Sequence, residues 1–121
     1  MAGVTEIPRN RTDRDRLREE WRIAAEATVE AEDGYERAKE GKSIFFDELL
    51  NTLLEQNEKL SVNKAERMAR TSKAFKDYVS TMHDLRRSFK LAKIEEEDKN
   101  RIYWEHVSQE ANERVERRMS R

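Results

Sequence analysis

Residues 24–54 read AAEATVEAEDGYERAKEGKSIFFDELLNTLL. A heptad runs through them in alternating steps of four and three: Ala24, Thr28, Ala31, Tyr35, Ala38, Lys42, Phe45, Leu49 and Thr52. It reaches upstream to Trp21 and Leu17. A 4,3 repeat keeps one side of an α-helix turned toward a partner helix. A second stripe, Ala27, Gly34 and Gly41, lies beside the first, so one face from 24 to 41 is built of small residues. Below it the face becomes large, with Phe45, Phe46, Leu49, Leu50, Leu53 and Leu54.

Downstream the period fails over Gln56-Asn57-Glu58-Lys59-Leu60-Ser61 and then resumes with the sizes reversed. Ala65, Ala69 and Ser72, with Met68 beside them, come first, followed by Phe75, Tyr78, Val79, Met82, Leu85 and Phe89. Folding the chain back at 57–61 sets position i opposite roughly position 118−i. Small then meets large at every level, which is how a close-packed interface is filled. In this reading Gly34 and Gly41 allow close helix approach, and a local kink is the alternative. The spacing predicts an all-α, coiled-coil-like antiparallel helical hairpin. A flexible arm over 1–11 precedes a single domain over 12–121. The first helix spans about 13–56, capped by Thr12 or Asp13. The turn is 57–61, and the second helix, capped by Ser61, spans about 62–118. The charged run 95–101 lacks Gly and Pro, so continuous helix or a bend there both remain open.

Composition supports helix over disorder. Charged residues make up 42% of the 121, against about 25% in ordinary domains, but the net charge is only −1. No Gly or Pro follows Gly41. Charge is also segregated: residues 24–59 carry ten acidic and four basic side chains, and residues 60–94 carry nine basic and three acidic. An acidic helix beside a basic one suits the hairpin, with weak surface pairs selecting the partner more than stabilising it. The absence of cysteine excludes disulfides, thiolate metal sites and a cysteine nucleophile. No apolar run approaches a membrane span and the N-terminus has no signal-peptide core, so a soluble cytoplasmic protein without membrane contact is expected.

Motifs for chemistry are weak. Gly41-Lys42-Ser43 matches the end of a phosphate-binding loop, but Glu36 stands where the first glycine is needed and the segment lies inside the heptad. His83 and His106 lack the Glu-x-x-His spacing of helical metal sites, since Ser80 and Tyr103 precede them by three. No nucleophile signature is present, and the reading is of a non-enzyme without cofactor or metal.

Two interaction surfaces are candidates. The second helix is longer than the first, which leaves an overhang after about 105 that a lone hairpin cannot bury. The interface candidates are Trp21, Trp104, Val107, Ala111, Val115 and Met119, with Trp21 and Trp104 expected near each other at the open end. Tyr35, Tyr78 and Tyr103 fall on apolar stripes and read as core. Either the overhang bends back as a third helix or it packs on another chain, and a homodimer with a four-helix arrangement is favoured, together with an unidentified protein partner. The alternative partner is nucleic acid, on Arg67, Arg70, Lys73, Arg86, Arg87, Lys90 and Lys93. A pI near 6.2 weighs against a dedicated nucleic-acid binder.

Tyr35-Glu36-Arg37-Ala38-Lys39-Glu40-Gly41-Lys42-Ser43 and Ala65-Glu66-Arg67-Met68-Ala69-Arg70-Thr71-Ser72-Lys73-Ala74-Phe75 carry a rhythm of Ala, Tyr and charged residues. In this, residues 20–115 resemble small all-helical proteins of unknown function encoded by phages and prophages of proteobacteria. The resemblance implies an accessory helical protein of a bacterial host cell, tied to phage DNA metabolism or recombination, and it transfers no functional residue.

Overall fold

The computed structural model describes residues 12–120, so the arm read over 1–11 lies outside the described residues. Three helices follow in order: α1 (Asp13–Gln56), α2 (Val62–Thr71) and α3 (Lys73–Met119). α1 packs against α3 as an antiparallel helical hairpin. Within the described chain the contacts cluster into two units, one combining the segment up to Val29 with that from Leu91, the other comprising Glu30–Lys90.

Side-chain hydroxyls and one amide set the element boundaries. Thr12 opens α1, its Oγ1 accepting from the Asp15 N–H at 3.2 Å. Asn57 makes the turn: its Oδ1 accepts from the Lys59 N–H (3.2 Å) and its carbonyl from the Leu60 N–H (3.1 Å), an Asx-turn that reverses the chain locally. Ser61 caps α2 by accepting from the Lys64 N–H at 3.2 Å.

The second helix is not continuous from 62, which corrects the expectation. It breaks at Ser72, whose backbone is extended (φ −65°, ψ 148°). The Ser72 hydroxyl donates to the Ala69 carbonyl (2.7 Å), closing α2, and accepts from the Phe75 N–H (3.2 Å), opening α3. Serine competes with the backbone for its own hydrogen bonds, and here it wins at both helix ends. By contrast α3 runs unbroken through 95–101. That stretch is laced along the helix by Lys99–Glu95 (3.7 Å), Arg101–Asp98 (3.3 Å) and Arg101–Glu105 (3.8 Å).

In the unit Glu30–Lys90 small meets large at Gly41 and Gly34, which face Tyr78 and Leu85, but the aromatic layers correct the expectation by pairing large with large. Phe45 stacks on Tyr78 at 4.6 Å between ring centroids, Phe46 meets Phe75 edge-on at 5.3 Å, and Tyr35 lies over Phe89 at 6.4 Å. Ala65 and Ala69 are fully buried. The Tyr78 hydroxyl donates to the Ala38 carbonyl at 2.6 Å. It sits so close to α1 that a Cβ on Gly41 would lie 2.9 Å from it, whereas a Cβ on Gly34 would meet only Leu85 Cδ2 at 3.9 Å. Gly41 is therefore a true requirement of close approach, and Gly34 is not.

In the other unit Ala24 and Thr28 are buried. The Thr28 hydroxyl shares its one proton between the Ala24 carbonyl in its own helix (3.0 Å) and the Ala92 carbonyl of α3 (3.1 Å). Lys99 reaches Glu20 across the hairpin at 3.8 Å. In both units these pairs fall within two helical turns of the 118−i register. The expected acidic-to-basic matching is sparse, however, because most ion pairs among described residues run along a single helix.

Gly34→Ala should stabilise the protein by about 0.5–1 kcal/mol through helix propensity alone. Gly41→Ala gains the same propensity but displaces the Tyr78 hydroxyl, so it should be about 1–2 kcal/mol less stable than Gly34→Ala by urea denaturation. Equal effects of the two would contradict the close approach. Ser72→Ala removes both capping bonds and should cost about 1 kcal/mol in the same assay.

Candidate interaction surfaces

In the unit containing both chain ends, an aromatic cluster forms where α1 begins. Tyr103 is 6% exposed and is the one large side chain buried there among the described residues. Trp21 packs on it at 5.6 Å with ring planes tilted 34°, and Trp104 meets it edge-on at 5.1 Å and 76°. The two tryptophans thus share Tyr103 as a common neighbour. Trp21 is half-buried, but Trp104, one residue past Tyr103 and so rotated about 100° around α3, is 53% exposed. The Tyr103 hydroxyl lies against the Arg14 guanidinium, and this hydrogen-bonding contact, with Glu110 and Asp15 nearby, raises the Arg14 pKa above its ordinary value.

Beyond this cluster α3 leaves its neighbour. Every residue from Ala111 to Ser120 is exposed, with Val115 at 53% and Met119 at 81%. Val107 is half-buried. The six interface candidates therefore separate: Trp21 and Val107 turn partly inward, and Trp104, Ala111, Val115 and Met119 face solvent. His106 is half-buried and bonds Glu110 through Nε2 at 2.8 Å, a contact along one helix face. The buried amide oxygen of Asn100 has no hydrogen-bond partner among the described residues.

A shallow groove beside Trp21 is lined by Asp15, Arg18, Arg22, Ala25 and Glu96. Arg22 is held there by Glu19, through its Nε at 3.0 Å, and by Glu26. Hydrogen bonding to Glu19, then the charges of Glu19 and Glu26, raise its pKa. The arginine is thus a fixed cation that cannot serve as a proton donor or acceptor. Among the described residues no group of three His, Asp or Glu side chains is placed to hold a metal ion. No described helix is long and apolar enough to cross a membrane.

The basic candidates are all exposed. Arg70 lies over the Phe46 ring at 5.9 Å, and Lys73 pairs with Asp77 at 2.8 Å. Arg67 stands on α2, before the break at Ser72. Arg86, Arg87 and Lys90 cluster on α3, and Lys93 belongs to the other unit. Sequence reading missed Tyr103 as the centre of the aromatic cluster. It also missed several exposed apolar side chains, among them Ile23, Val29, Ile44, Leu91 and Ile94, which lie off the heptad.

In the monomer, Tyr103→Ala should cost about 3 kcal/mol, as for a buried aromatic, while Trp104→Ala should cost less than about 1 kcal/mol. In single-tryptophan variants kept monomeric by dilution, iodide should quench Trp104 more steeply than Trp21. No family model, curated protein or solved structure matches this chain.

Proposed function

We propose that the chain is a non-enzymatic protein-interaction module that works as a homo-oligomer, with the exposed stripe of α3 as its contact surface. The observation that carries this reading is the stretch Ala111–Ser120, exposed throughout while bearing Val115 and Met119 in line with the exposed Trp104. Fully burying a side chain such as Val or Met is worth about 1.5–3 kcal/mol each, so a second α3 laid along this stripe gains what the hairpin leaves unused. Trp104, held edge-on by Tyr103, supplies the rigid aromatic anchor that interfaces favour. The resemblance to phage-encoded helical proteins supports placing this module among accessory proteins acting in the cytoplasm of a bacterial host.

Sedimentation equilibrium tests the reading. At about 500 mM NaCl, where exposed ion pairs are screened, wild type should exceed monomer mass at micromolar concentration, and Val115→Asp with Met119→Asp should return it to monomer with unchanged helical circular dichroism. A monomeric wild type would overturn it.

A further inference from the structure

Within the unit Glu30–Lys90, the two strands of the hairpin carry opposite and equal charge. Residues 30–56 hold eight acidic and three basic side chains, and residues 62–90 hold eight basic and three acidic. These charges are displayed outward and are not spent on each other. On α1, Asp33, Glu40 and Asp47 recur every seven residues, all exposed and without an ion-pair partner among the described residues. On α3, Lys76, His83 and Lys90 also recur every seven residues, flanked by Arg86 and Arg87. All five are exposed and likewise unpaired among the described residues. Ile44, 62% exposed, sits between Glu40 and Asp47 as an apolar member of the acidic stripe. Side chains seven apart lie on one helix face, so the acidic stripe presents three carboxylates, with Arg37 between the first two, and the basic stripe two lysines and a histidine at the same spacing.

We propose that these stripes are the two halves of a self-complementary contact: the acidic face of α1 in one copy docks on the basic face of α3 in a second copy of this chain. The proposal rests on the self-association proposed above and adds a second, electrostatic contact to the apolar one. A second copy fits the basic face better than nucleic acid does, because the chain itself supplies a matching acidic face. That acidic face would also repel a phosphate backbone. Exposed pairs are individually weak and screened by salt, so such a contact acts through several pairs together and is labile to ionic strength. A contact between unlike faces is heterologous, so each added copy leaves one acidic and one basic stripe open unless a ring closes.

The test uses the full chain carrying Val115→Asp and Met119→Asp, so that the apolar stripe does not contribute. In this background, self-association should persist at about 50 mM NaCl and weaken at least about tenfold at about 500 mM. Adding Lys76→Glu, Arg87→Glu and Lys90→Glu gives a copy with two acidic faces. Adding instead Asp33→Lys, Glu40→Lys and Asp47→Lys gives one with two basic faces. Each should be monomeric alone, and mixing the two should restore a complex. Failure of the mixture to associate, with both variants helical by circular dichroism, overturns the proposal. Wild-type association that resists 500 mM salt while the mixture fails leaves the apolar contact standing and removes only this one. Salt-sensitive gel shifts of DNA by wild type, lost in the acidic variant, together with no complex in the mixture, overturn the proposal in favour of nucleic acid.

Discussion

The position of the Tyr78 hydroxyl, 2.6 Å from the Ala38 carbonyl and 2.9 Å from where a Cβ on Gly41 would stand, sets how closely the two strands of the hairpin can lie in that unit. The neighbouring layers follow from it. Phe45 can stack on Tyr78, and Phe46 can meet Phe75, because the backbone of α1 has already come within reach. No large side chain among the described residues is fully buried. Paired aromatic rings beside one close glycine contact therefore take the place of a deep core, and each layer has little redundancy.

Charge has a different task in this protein from the one its segregation suggests. Lys99–Glu20 does cross the hairpin, but Arg22, Lys73, Arg101 and Arg117 find their carboxylates one turn away on their own helix. Such pairs support helix formation by a few tenths of a kcal/mol each, and they allow α3 to continue through 95–101. The segregated charge of the Glu30–Lys90 unit stays at the surface, where it acts on whatever approaches.

Much of this was legible in the sequence because it depends on period and size. The heptad from Leu17, the caps at Thr12 and Ser61, the turn at 57–61 and the fold-back register all follow from spacing and side-chain volume. The break at Ser72 was not legible. Ser43, Ser80 and Ser88 have the same side chain and remain helical, so the difference lies in which backbone groups a hydroxyl reaches, not in composition. Trp21 and Trp104 were legible as neighbours from the register. Tyr103 as the residue joining them was not, since one residue of helix rotation decides which aromatic turns inward. The exposure beyond Ala111 followed from unequal helix lengths, but the half-burial of Val107 depends on the same fine rotation.

The register has a kinetic consequence. In a hairpin, every layer added away from the turn joins residues further apart in the chain: Ala38 and Tyr78 are 40 positions apart, Thr28 and Ala92 64. Loop-closure entropy grows with that separation, though only logarithmically. Once the Asn57 turn and its nearest layers have formed, each next pair closes only the short gap left by the one before it. Folding can then proceed as a zipper from the turn outward, and the aromatic cluster around Tyr103 is the last layer to close and the first to open.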